Sequence, residues 1–384
     1  MSIQPRRDRE FKDSKAADDE VWDQFVETQP YGLHQQSTRW ARFKVQHGWT
    51  AHRIQIVRGA KPVGGVQLLV RDFSWIGRLG YVSRGPVLPA ENADLADELM
   101  QRILRVAVDE RLRYLTIQPP IGGSDFVPTL TSNGFHPIHF QVAPTATVLV
   151  DVTQDPQALL SQMRSGTRRS IRKALTSSLK VRLATRQDFP AIQQLLAATA
   201  RRQGFCPPSL LFLEELSASF LGPRSLLVFL AEKDGVPVAC ELDIPFGDVL
   251  VSKRCGWSGE CPKEHPTELL VWAGMQWARE NGLRYYEIEG IHPTLADAIC
   301  RRQPFPSEFE RGPHWFKLGF GGVVKTLPQN HGKVLIPRVS GIHNLAAQVL
   351  AWSGSHRLSS DLMTGSLREY FDARGRTADQ LAAA

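Results

Sequence analysis

A lysine set in an apolar stretch is the first group in this chain whose chemistry needs explaining. In RGPHWFKLGFGG (311–322), Lys317 stands among Trp315, Phe316, Leu318 and Phe320, with Gly319, Gly321 and Gly322 close by. An ammonium there either runs its stem out to water or faces negative charge inside a cleft. A second group is a block of cations. Between Pro156 and Gln187 there is no acidic residue, while Arg164, Arg168, Arg169, Arg172, Lys173, Lys180, Arg182 and Arg186 all occur. Such a block is a footprint for phosphates, on nucleic acid or on a nucleotide, or else a solvated helix face. Arg168 and Arg172 share one helix face and Arg169 and Lys173 the next, which leaves Ile171 and Ala174 to pack inward. One basic pair touches phosphates, or the group pairs with carboxylates of a neighbouring domain.

Tyr285, Glu287 and Glu289 alternate along a strand-like run and point to one side of it. If that side lines a crevice, either carboxylate can accept an amine's proton or hold an ammonium; if not, they are salt-bridged surface groups. Arg84, in SRGP, follows a glycine-bracketed strand end where backbone and side chain can both approach a ligand, although any turn can carry such an arginine. His265, His292 and His314 lack spaced partners, and no Ser or Cys sits in a nucleophile elbow. Cys255, Cys261 and His265 match no common zinc spacing, so no metal is expected.

Composition sets the frame. The chain has 384 residues, enough for two or three domains, with 42% hydrophobic and 22% charged residues, ordinary values for a soluble globular protein. No apolar run approaches the roughly 20 residues of a membrane span. The charged opening, MSIQPRRDREFKDSKAADDE, lacks the apolar core of a secretion signal and reads as a mobile polar arm. Five scattered cysteines fit reduced thiols in a cytoplasm better than a disulfide framework.

The elements that must position these groups come in two similar series. After a polar arm (1–18), residues 19–151 read as helices near 21–28 and 38–47, strands at 52–57 and 62–70, and GYVSRGPVL. A helix at 93–110, a strand at 114–118 stopped by Pro119-Pro120, a helix near 124–133 and an extended run to 150 complete this unit. Residues 152–327 repeat the order. A basic helix is followed by a strand at 180–184, helices at 188–202 and 208–220, and strands at 225–233 and 236–245 joined at Asp234-Gly235. A strand at 248–256, a helix at 265–281, a strand at 284–289 and the Lys317 stretch finish it. Residues 328–384 read as a helical extension, with helices near 341–352 and 366–373. The fold class is therefore α/β (α+β), built from a duplicated unit of roughly 150 residues; no short repeat indicates a solenoid.

Taken in order, WARFKVQHGW (40–49), GYVSRGP (80–86), TRRSIRKA (167–174), WAGMQWARENG (272–282), YYEIEGI (285–291) and WFKLGFGG (315–322) resemble the FemABX aminoacyltransferases, over residues 20 to 327. The resemblance implies two tandem acetyltransferase-like (GNAT) domains with a cleft between or beside them. It also implies an aminoacyl-tRNA co-substrate, no further cofactor, and an acceptor amine on a peptidoglycan precursor or another small molecule or peptide. Lys317 then falls on the lysine of the family's Phe-Lys pair, with Phe316 beside it. It would stabilise the tetrahedral oxyanion or touch the tRNA end. Glu289 or Glu287 would take the proton or bind the donor, with Tyr285 alongside. Lys44 lies where the family meets the acceptor's diphosphate, and Arg168, Arg169, Arg172 and Lys173 would meet tRNA phosphates. Gln118 stands where muropeptide-modifying members tend to carry aspartate. An amide cannot serve as a base near neutral pH, which leaves the acceptor open. No long charged helical hairpin is visible, as in the compact members.

Two rivals share these features. An acyl-CoA-dependent GNAT needs a glycine-rich turn opening a helix, and the nearest string, RRQGFC (201–206), follows a helix and lacks the last glycine. A non-catalytic RNA-binding module needs aromatic residues among the basic ones, and none lies between Arg164 and Arg186.

Overall fold

Alternating apolar residues and glycine-marked turns produce two sheets, each backed by amphipathic helices. The computed structural model describes residues 9–15, 18–73, 77–138, 143–221 and 226–335. The first series contains β1 (Arg9–Ser14), α1 (Glu20–Glu27), α2 (Thr38–Gln46), β2 (Trp49–Arg58), β3 (Lys61–Phe73) and β4 (Gly77–Val82). It continues with α3 (Ala96–Asp109), β5 (Tyr114–Ile117), α4 (Val127–Ser132) and β6 (His136–Pro137). Next come β7 (Ala146–Asp151), α5 (Pro156–Gln162), α6 (Ser165–Leu175), β8 (Lys180–Leu183), α7 (Phe189–Gln203) and α8 (Leu210–Ser219). Then follow β9 (Leu227–Lys233), β10 (Val236–Phe246), β11 (Val249–Trp257), α9 (Pro266–Glu280) and β12 (Tyr285–Glu289). The described chain closes with α10 (Pro293–Cys300), α11 (Pro313–Leu318), β13 (Val323–Thr326) and β14 (His331–Val334).

The strand orders are β1-β2-β3-β4-β5-β14-β6 and β13-β7-β12-β11-β10-β9-β8. Read outward from β1 and from β8, the two sheets match. Four antiparallel strands lead to a parallel pair, β4 with β5 and β11 with β12, and the helix between the paired strands (α3 or α9) supplies the crossover. Leu99, Met100, Ile103 and Ala107 form the buried stripe of α3, against Ile54, Ile56, Val66, Leu68 and Val70 of the first sheet. Leu270, Val271, Met275 and Ala278 are among the buried residues of α9. Each of the leucine, isoleucine, valine and methionine side chains among these contributes about 1.5–3 kcal/mol on burial.

Three expectations are corrected. β7, assigned above to the first unit, pairs with β12 and β13 of the second sheet, and β14, assigned to a helical extension, inserts between β5 and β6 of the first. Each unit thus lends the other the strand that follows its sixth. Hydrophobic alternation identifies a strand but not the sheet it joins. Part of the supposed mobile arm is β1, whose Phe11 is opposite Ile56 of β2. The Lys317 stretch is helical, with Pro313 opening α11, since Pro favours a first helical turn. The helices expected near 341–352 and 366–373 lie outside the described residues.

One apolar cluster runs through both units. Trp40, Phe43, Trp49, Leu69 and Tyr81 of the first pack with Ile192, Leu196, Phe212, Phe220, Leu230 and Leu242 of the second. This shared core joins β4 and β5 of the first unit, through Leu79, Tyr81 and Tyr114, to α7, α8, β9 and β10 of the second.

Candidate active site

The ends of the parallel pairs meet through charge. After β4 the chain turns at Arg84, whose φ of 47° lies in the left-handed region, a costly place for a residue with a Cβ. The turn drives the guanidinium into the second unit. Nη1 donates to Oε2 of Glu287 at 3.1 Å, and Nη2 donates to Oε1 of Glu287 at 2.7 Å and to Oε1 of Glu289 at 2.9 Å. Arg84 and Glu287 are buried to 1% and 0% exposure. Burial alone would lower the arginine's pKa, but the two glutamates outweigh it and raise it.

Glu289 is the junction of this network. Its Oε2 accepts from Lys253 Nζ at 2.5 Å, and Gln35 Nε2 lies 3.4 Å from Oε1. Lys253 reaches it because β11 bulges. The register against β10 passes from Leu242↔Arg254 to Asp243↔Ser252, leaving Lys253 without a residue opposite, and such a bulge re-aims a side chain. Burial pushes the Glu289 carboxyl up, but Lys253, Arg84 and His34 outweigh it and hold it at about 2. A carboxylate so strongly held as an anion is a poor proton acceptor near neutral pH. The base role considered for Glu289 therefore gives way to an interdomain clamp, in which its oxygens and those of Glu287 are already engaged.

Lys317, on α11, packs against the end of β12. Its Nζ donates to the backbone carbonyls of Glu289 at 2.5 Å and Gly290 at 2.9 Å. Gly290 has φ 83°, and a Cβ there would sit 3.0 Å from the Lys317 Nζ, so glycine suits both the turn and the lysine. An ammonium has three N–H groups, and two of them go to these backbone carbonyls. Burial lowers the Lys317 pKa to about 8, partly offset by the charges of Glu289, Glu241 and Cys255. Phe316 is half-buried against Phe320, with ring centroids 5.0 Å apart.

The cationic helix adjoins this lysine. Arg164, at the start of α6, stacks on Trp315 at 3.8 Å and donates to its carbonyl at 2.9 Å. Gly319 lies so close to α6 that a Cβ would collide with the Thr167 hydroxyl. Ile171 and Ala174 are buried, while Arg169, Arg172 and Lys173 are exposed and Arg168 is half-buried. Among the described residues none of these four pairs with a carboxylate. Arg182, from the same basic block, is paired with Asp188 and Glu232 instead.

The remaining candidates spread out. Lys44 is fully buried, 5.4, 6.0 and 5.3 Å from the ring centroids of Trp40, Phe43 and Trp49. Burial first, then Arg71 and Lys253, hold its pKa well below the ordinary value; it is no surface helical lysine. Gln118 accepts from the Tyr81 hydroxyl at 3.3 Å and donates to the Pro144 carbonyl at 3.1 Å. Its own carbonyl accepts from the Gly85 amide, so it braces the Arg84 turn. Tyr285 begins β12, four residues before Glu289 and so about 13 Å away. Its ring faces Tyr31 and Arg284, which sets it apart from the cluster.

Sequence reasoning passed over Lys253, His34 and Glu241. His34 is wholly buried beside Trp40. Burial, then Lys253, holds its pKa well below 6.5. Glu241 and Asp243 interrupt the apolar strand ACELDIPF at alternate positions, and Lys253 interrupts VLVSKRCGW. Those interruptions were the available signal.

Comparison with known proteins places this geometry among relatives. A FemAB family model matches residues 18–132, and an acetyltransferase (GNAT) domain model matches 161–292. The lipid II:glycine glycyltransferase of Staphylococcus saprophyticus is 25% identical over 235 residues, 58% of this chain and 57% of that protein. The enzyme of that name from Staphylococcus aureus is 26% identical over 223 residues, 55% and 53% respectively. The match thus spans little more than half of these curated relatives. Among solved structures, FemX superposes with a TM-score of 0.75 at 18% identity, covering 88% of this chain and all of that one. A tandem GNAT protein from the clavulanic acid biosynthesis pathway superposes at 0.51 with 13% identity, covering 86% of this chain and all of that one. Among the described residues no helix is long and apolar enough to cross a membrane.

Proposed function

Because this chain is a FemABX-like tandem of GNAT domains, we propose that it is an aminoacyltransferase. It moves an aminoacyl group from a charged tRNA to an amine of a cell-wall precursor or a related acceptor. The observation that carries this reading is the Lys317 ammonium, held by the Glu289 and Gly290 carbonyls beside an exposed cationic helix. The amine attacks the ester carbonyl, a C–N bond forms, and the ester C–O bond breaks as the 3′ oxygen leaves with a proton. Negative charge grows on the carbonyl oxygen between these events. The Lys317 ammonium stabilises it, and because Lys317 is already oriented, little reorganisation accompanies the reaction. Arg169, Arg172 and Lys173 hold tRNA phosphates.

The test supplies purified protein with mixed charged tRNAs and a bacterial metabolite extract, and reads new amides by mass spectrometry. Transfer from charged tRNA is expected, falling roughly 10²–10³-fold in Lys317→Met. Its rate is expected to decline as pH rises through about 8, where Lys317 loses its proton. Acetyl-CoA as the consumed donor, or full turnover by Lys317→Met, would overturn the reading.

A further inference from the structure

Lys317 sits on a helix of 6 residues, too short to hold its own shape in water. What fixes α11 is the start of α6. The Arg164 amide donates to the Gly319 carbonyl at 3.0 Å. Its Nη2 donates to the Trp315 carbonyl at 2.9 Å, and its guanidinium lies 3.8 Å from the centre of the Trp315 ring. The last four carbonyls of a helix lack partners within it, and Arg164 supplies one to Trp315. A single residue thus grips the chain two positions before Lys317 and two positions after it.

The fit between the helices is close. Gly319 has an ordinary helical φ of −66°, yet a Cβ there would meet the Thr167 hydroxyl and lie 2.8 Å from Arg164 Nη2. A Cβ on Gly321 would lie 3.0 Å from the Gln162 carbonyl oxygen. Two glycines of the LGFGG run therefore serve this contact. The basic block divides accordingly: Arg169, Arg172 and Lys173 are exposed, whereas Arg164 is turned onto α11.

We propose that Arg164 is a positioning residue for aminoacyl transfer: it fastens α11 to α6, so that the helix meeting tRNA phosphates and the lysine meeting the reacting ester form one rigid unit. This inference rests on the aminoacyl-transfer reading, in which both helices act on the same charged tRNA. Displacing a reacting group by about 1 Å costs about 10²-fold in rate. Loosening α11 leaves the phosphate contacts of α6 in place, so the loss falls on kcat and not on KM.

The test has two arms. In the first, steady-state transfer from charged tRNA is compared for wild type, Arg164→Gln, Arg164→Lys and Gly319→Ala. Arg164→Gln loses the guanidinium's stack and bond, and is expected to lower kcat about 10²-fold with KM and the salt slope of tRNA binding unchanged. Arg164→Lys keeps a cation beside Trp315 and is expected to recover about tenfold of that loss. Gly319→Ala leaves every charge in place but wedges α11 off α6, and is expected to lower kcat as Arg164→Gln does. The second arm needs no substrate: Lys317 of the intact protein is titrated by competitive acetylation with acetic anhydride, read by peptide mass spectrometry. Burial holds its midpoint at about 8. In Gly319→Ala the midpoint is expected to rise toward the ordinary lysine value of about 10.4.

A raised KM and a flattened salt slope in Arg164→Gln, in place of a lowered kcat, would make Arg164 a phosphate ligand and overturn the proposal. So would wild-type kcat in Arg164→Gln, or an unmoved Lys317 midpoint in Gly319→Ala. If one of these two variants does not fold, the other decides. Should wild type transfer nothing from charged tRNA, the functional reading fails, while the acetylation arm still decides whether this contact holds the lysine.

Discussion

Replacing Arg84 with methionine tests whether the clamp at the domain junction does what its geometry implies. The guanidinium supplies both hydrogen bonds that reach the carboxylate of Glu287 and one that reaches Glu289. Among the described residues no other donor bonds the Glu287 oxygens, whereas Glu289 retains Lys253. Methionine fills similar volume, so packing changes little and the main loss is charge compensation at a site of 0% exposure. Removing one partner of a buried pair costs about 3–5 kcal/mol, because a buried charge is left behind. Adding Glu287→Gln to Arg84→Met is expected to recover about half of that loss, since the orphaned charge is gone. The assay is urea unfolding at pH 7 followed by tryptophan fluorescence. One transition is expected, because β7 and β14 are exchanged between the sheets and the core cluster is shared. The pH dependence has a defined sign. Glu289 titrates in the folded state at about 2, below an ordinary carboxyl near about 4.3. It therefore stabilises the fold above the latter value, and that contribution is lost as pH falls toward about 2. A loss below about 1 kcal/mol in Arg84→Met, or two separated transitions in wild type, would refute this account of the junction.

Two further outcomes follow from other parts of the molecule. Neutralising the exposed face of α6 with Arg169→Gln, Arg172→Gln and Lys173→Gln is expected to raise the KM for charged tRNA at least about tenfold. The salt dependence of binding should also flatten by about two to three counterions, with kcat little changed. Equal loss for every donor, with the salt slope untouched, would make α6 structural instead. Deleting the chain from His331 onward removes the strand between β5 and β6 and exposes two rows of unpaired backbone groups. The truncated protein is expected to aggregate on expression, and a soluble, cooperatively unfolding product would show that the strand is dispensable.

Much of the architecture was legible because it depends on local pattern. The stripe of Leu99, Met100, Ile103 and Ala107, the hairpin turn at Asp234-Gly235 and the Ile54/Ile56 alternation each specify an element through its own periodicity. The repeated order of those elements indicated the duplication, whereas composition around Lys317 left open whether its stem runs to water or faces a cleft. What was not legible depends on partners distant in sequence. Nothing in ATVLVD says that it will leave its own unit for the other sheet, because any strand offers the same backbone donors and acceptors. Glu289 reads as a free carboxylate until Arg84 and Lys253 are brought against it, 205 and 36 residues away along the chain. Lys253 reaches it only through a bulge in β11. The sequence alone determined most of the strands and helices, β1 and β14 excepted, and which side chains carry charge. Tertiary structure alone decided which charges neutralise one another, and that choice separates a clamp from a proton acceptor: in a buried site the protonation state is set by neighbours and solvent exclusion, not by residue type.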